Sequence, residues 1–159
     1  MCGECKETLA HFGECPRLKG IFSSLRKVDG GRRWNDTKLN LLGVQDRGVV
    51  KRGVSAVHMM VWKQVIPELV GAETRGTEIQ TRQVLARAAR RFLKREEAMK
   101  VRIKLYTNKC EARGMKPHMD TFNGALEGIA GVTEDGELIR DDNLQSWIED
   151  CIPDDTQKD

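Results

Sequence analysis

A mainly α-helical protein is what this sequence predicts, and three observations carry that reading. From about Thr77 to Arg113 there is neither Gly nor Pro. Apolar residues recur at three- and four-residue gaps in several separate stretches, which is helical periodicity. Aromatic residues make up 5% of the 159 residues against 32% charged, so a core of large rings is out of reach and helices suit the composition. The expected organisation is a small N-terminal module with its following helix over 1–28, a helical body over 29–116 containing a long basic helix at 77–113, and an acidic helical tail over 117–159.

The N-terminal module rests on four residues. Cys2 and Cys5 are separated by two residues, His11 follows after five more, and Cys15 after another three. A Cys-x2-Cys turn brings two thiolates to one side of the backbone, and His11 and Cys15, four apart, share a face if Thr8 to Cys15 is helical. Three sulfur ligands and one imidazole favour zinc over magnesium or calcium. Four protein ligands leave no open coordination position, so the expected site is a structural zinc knuckle in which metal binding and local folding are one free energy.

Pro16 follows the last ligand, at a position suited to the first residue of a helix. Leu18, Ile21, Phe22, Leu25 and Val28 then recur at helical spacing, and Asp29-Gly30-Gly31 breaks the pattern. Cys-x2-Cys followed by Glu7-Thr8-Leu9-Ala10-His11, Cys15-Pro16 and an apolar helix resembles the zinc-binding segment downstream of the polymerase domain in non-LTR retrotransposon reverse transcriptases. The resemblance covers about residues 2–30, with a His-to-Cys gap of three residues where four is more usual. It implies that Cys2, Cys5, His11 and Cys15 are the metal ligands of a CCHC knuckle.

With Met1 at the edge of the motif, the upstream polymerase is expected to be absent. A polymerase needs carboxylates to hold two metal ions, and the family's Tyr-x-Asp-Asp string does not occur. Asp141-Asp142 precedes Asn143-Leu144, where a helix cap is the expected role, and Pro153-Asp154 comes too near the end to begin an endonuclease. The expectation is therefore a non-enzymatic protein.

Farther along, Asn35 or Asp36 is expected to cap a short helical turn through Leu39, Leu41 and Leu42, closed by Gly43. Val50, Val54, Val57, Val61, Trp62, Val65, Ile66 and Leu69 form a second apolar stretch whose spacing predicts a helix ending at Gly71. His58 is expected at the core edge or on the surface. In the long basic helix, Leu85, Ala89, Phe92, Glu96, Met99, Ile103, Tyr106 and Cys110 alternate at gaps of four and three, a heptad seam with one charged interruption. Gly114 is its expected end. In the tail, Asp120-Thr121 should cap a helix with Phe122, Leu126 and Ile129, stopped by Gly131; Thr133 to Glu137 reads as a turn. Asp141 or Asp142 should cap a last helix with Leu144, Trp147, Ile148 and Cys151.

Charge is unevenly spread. Residues 1–74 hold 12 basic and 8 acidic side chains, 75–116 hold 13 and 4, and 117–159 hold 2 and 12. Either the acidic tail folds back on the basic helix or the helix meets a polyanion. Arg17, Lys19, Arg87, Arg91, Arg95, Arg102 and Lys109 are the candidates for contacting RNA or DNA phosphates. With only Phe92 and Tyr106 interleaved, both in the seam, contact should be directed at the backbone and poor in sequence preference. The competing reading is a zinc-stabilised interaction module that pairs, with itself or another helix, through the Leu85–Cys110 seam. No apolar run approaches a membrane span, no apolar signal region opens the chain, and five cysteines do not suggest a disulfide framework, so an intracellular, nuclear or cytoplasmic protein is expected.

Overall fold

A computed structural model of the chain describes residues 15–30 and 51–152, and these are mainly helical. Cys2, Cys5 and His11 and the expected turn at Leu39–Leu42 lie outside the described residues.

Cys15 is buried ahead of a single 3-10 turn, Pro16–Leu18, whose Leu18 amide donates to the Cys15 carbonyl at 2.9 Å. Helix α1 (Lys19–Val28) follows and buries Ile21, Phe22, Leu25 and Val28, the face its periodicity predicts. Gly30, at φ 69°, ends it.

Helix α2 (Arg52–Arg75) buries Val54, Val57, Val61, Trp62, Val65 and Leu69. It runs past Gly71, the stop expected from sequence. Ala72, one residue on, is buried, and the left-handed residue that closes the helix is Gly76, with Thr77 N–H bonding back to the Ala72 carbonyl at 2.9 Å. His58 is fully buried rather than at the core edge, because it lies on the same helical face as Val54, Val61 and Trp62. Ile66 turns outward and is 54% exposed.

Helix α3 (Thr81–Glu111) holds 31 residues and is closed by Gly114 at φ 66°, with Met115 N–H bonding to the Cys110 carbonyl at 2.9 Å. Its seam lies inward, with Leu85, Ala89, Phe92, Glu96, Ile103 and Cys110 buried and Met99 and Tyr106 partly so.

After α3, the short α4 (Asp120–Leu126) stops earlier than the apolar spacing suggests, and Gly131 lies in a strand rather than at a helix end. Strands β1 (Ala130–Val132) and β2 (Leu138–Arg140) form an antiparallel hairpin in which Gly131 faces Ile139. Asn123 of α4 clamps it, accepting from Val132 N–H at 2.6 Å and donating to the Val132 carbonyl at 3.3 Å. The expected turn joins the strands, with Gly136 at φ 82° and Thr133 N–H bonding to the Glu137 carbonyl at 2.9 Å.

Asp141 caps the last helix, α5 (Asp142–Cys151), by accepting from Asn143 N–H at 2.9 Å. This helix packs on α1 and α3. Trp147, 1% exposed, donates its indole N–H to the Ser24 hydroxyl at 2.8 Å, tying the last helix to the first. Buried apolar residues of α1, α2, α3, α4, β1 and α5 form one cluster.

Candidate nucleic-acid interface

The first determinant of this face is a charge that does not reach it. Glu96 interrupts the apolar seam of α3, and its side chain is 3% exposed. Arg140, from the hairpin, grips both carboxylate oxygens, Nε to Oε2 at 2.6 Å and Nη2 to Oε1 at 2.9 Å. Lys100 Nζ adds a contact to Oε1 at 3.1 Å. Burial pushes the Glu96 carboxyl up, but hydrogen bonds and charge from Arg140 and Lys100 outweigh it and hold the carboxyl below its ordinary range. Arg140 is oriented in turn by Gln145 Oε1, which accepts from Nη1 at 2.6 Å.

This pair answers one question the charge distribution raised. The acidic tail does fold back on α3, but the contact runs through a tail arginine to an acid of the basic helix. Other tail carboxylates pair elsewhere: Asp150 with Lys27 of α1, and Glu134 with Lys116 at 3.3 Å. Among the described residues, the cations of α3 are left largely unneutralised. Arg82, Arg87, Arg90, Arg91, Lys94, Arg95, Arg102, Lys104 and Lys109 are all exposed. Of these, Arg87 pairs with Glu68 of α2 at 3.0 Å, and the others carry no carboxylate partner among the described residues.

The expected contact residues separate into groups. Arg17 and Lys19 are exposed at the start of the N-terminal helical segment. Arg91, Arg95, Arg102 and Lys109 follow one flank of α3, as their spacing predicts. Arg95 also borders a small apolar pocket of about 140 Å³ between α2, α3, α4 and the hairpin. Arg87, four residues before Arg91, stands at the edge of that flank. It joins Arg82 and Arg90, neither singled out from sequence, in a cleft of about 380 Å³ whose other wall is Cys151 and Ile152 at the end of α5. Only Arg90, three residues after Arg87, shares a helical face with it by spacing, and Arg82, five before, does not; the cleft that gathers all three depends on an opposing wall from a segment some sixty residues away, which left no trace in local spacing.

Two further observations bear on chemistry. The Cys151 thiol is pushed up to about 11 by burial, against a hydrogen bond from Ser24, so it stays protonated and uncharged at neutral pH. The α3 seam that would pair with a second helix is already packed inside this chain, against α2 and α5 among others.

Among the expected zinc ligands, Cys15 alone falls within the described residues. It is 1% exposed and belongs to the hydrophobic core with Leu18. No helix among the described residues is long and apolar enough to cross a membrane. No known protein-family model, curated protein or solved structure matches the chain.

Proposed function

We propose that this chain is a non-enzymatic, nucleic-acid-associated fragment resembling the C-terminal region of a retrotransposon reverse transcriptase, with α3 meeting the phosphate backbone of RNA or DNA. The observation that carries the reading is the row of α3 cations that, among the described residues, have no carboxylate partner. Each phosphate such cations neutralise releases condensed counterions, and guanidinium groups suit phosphate geometry. Contacts of this kind fix position and carry no sequence information. Labelled single-stranded 20-mers of different sequence should therefore bind with affinities within about threefold of one another, near the micromolar values usual for non-specific contacts. Fluorescence anisotropy checks this; strong preference for one sequence, or no binding at low salt, contradicts it.

The N-terminal set Cys2, Cys5, His11 and Cys15 holds one structural zinc ion in this reading. Cys15 supports it by offering a thiol already fixed at the head of α1, so that metal binding would tie the first fifteen residues to the core. Metal analysis of purified protein is expected to find one zinc per chain, lost in a Cys5→Ser, Cys15→Ser variant. Wild-type protein that folds without bound metal would remove the knuckle and the main support for the resemblance.

A further inference from the structure

We infer that the cleft between the first half of α3 and the end of α5 is a phosphate-chain site, seating consecutive phosphates of a nucleic-acid strand between Arg82, Arg87 and Arg90. This deepens the reading of α3 as a phosphate-contacting helix, and assigns the closest contacts to a flank other than the one carrying Arg91 and Arg95.

Four features converge on it. Three guanidinium groups project into one concavity, and among the described residues its lining contains no carboxylate. Arg82 and Arg90 have no ion-pair partner among the described residues, while Arg87 is steadied by Glu68 at 3.0 Å, which lowers the ordering cost of using it. Ala86, Cys151 and Ile152 supply low-polarity walls, and charge of one sign lining such a cleft concentrates the field and attracts counter-ions. The volume of about 380 Å³ lies within the range of small-ligand sites and exceeds what a single phosphate fills. Arginine also binds phosphate through paired parallel hydrogen bonds, which an open row of lysines does not offer.

The test uses the full chain and two charge-neutralised variants, Arg82→Gln/Arg90→Gln and Arg91→Gln/Arg95→Gln, each checked for helicity by circular dichroism. Anisotropy with a labelled uridine 20-mer across a salt series gives affinity and slope; calorimetry with inorganic tripolyphosphate probes the cleft without a nucleic acid. The cleft variant should lose at least about tenfold in affinity and flatten the log–log salt slope by about 1.4, two contacts at about 0.7 each for a single strand. The flank variant should lose less, and tripolyphosphate should bind wild type but not the cleft variant. Strand binding that survives unchanged in Arg82→Gln/Arg90→Gln overturns the cleft and leaves the broader reading of α3 standing. Tripolyphosphate binding lost in that variant, with no strand binding by wild type, keeps the cleft and overturns the nucleic-acid reading.

Discussion

Arg140→Ala should cost about 3 kcal/mol of stability at neutral pH, because it leaves the Glu96 carboxylate inside the core with only Lys100 beside it. Breaking one half of a buried ion pair removes attraction without returning the other half to water. Replacing both partners with apolar side chains of similar size, Glu96→Met with Arg140→Met, should recover most of that loss, since no buried charge is then left.

The pH dependence gives a sharper signature. In the native protein the Glu96 carboxyl is held below its ordinary value of 4.5, so its contribution is fully present above that value and fades as pH falls through the lowered one. Without Arg140, burial pushes the carboxyl upward instead, and protonation relieves the variant at a milder acidity. The gap between wild type and Arg140→Ala should therefore narrow from pH 7 toward pH 4. Urea unfolding at the two pH values measures it; a gap under about 0.5 kcal/mol at pH 7, the range of an unremarkable surface change, would show that the pair holds nothing.

Two glycines of α2 should respond in opposite directions to the same substitution. A Cβ at Gly53 would stand 2.4 Å from Ile129 Cγ1 and 2.7 and 2.8 Å from the carbonyl oxygens of Leu126 and Glu127. The backbone cannot yield as a side chain can, and the Gly53 N–H bond to Glu127 at 3.0 Å would be strained with it. Overpacking of this kind costs about 1–3 kcal/mol, and losing the hydrogen bond adds about 1. At Gly71 the near atom, at 2.9 Å, is the mobile end of Arg75. Gly71→Ala is thus expected to stabilise the helix by up to about 1 kcal/mol through propensity. Thermal unfolding of both variants would show it: a lowered midpoint for Gly53→Ala and an unchanged or raised one for Gly71→Ala.

What could be read from sequence was whatever local spacing encodes. The faces of α1, α2 and α3 were legible because one period repeats over many residues, and the Asp141 cap because a short acid before an apolar run has few other uses. Even the inward position of Glu96 followed from the heptad count. Its partner did not, since Arg140 lies 44 residues away and only the hairpin brings it back. The strands themselves were missed because three residues each are too few to show alternation against the helical pattern of Phe122, Leu126 and Ile129. Gly71 misled for a related reason: glycine closes a helix where the chain must turn left-handed, and the continuing burial of Ala72 deferred that need to Gly76. Arg82 and Arg90 were visible as cations but not as a site, because the wall that turns an exposed face into a cleft is supplied by Cys151 and Ile152.

The proposed role of the α3 cations is tested most directly by the salt dependence of strand binding. Affinity of the wild-type chain for a labelled uridine 20-mer should fall linearly on logarithmic axes between 50 and 200 mM salt, with a slope of magnitude about 3, as expected for four or five phosphates at about 0.7 each. A flat response, with slope magnitude below about 0.7, would mean that fewer than one phosphate is neutralised and that the cations of α3 serve something other than a nucleic-acid backbone.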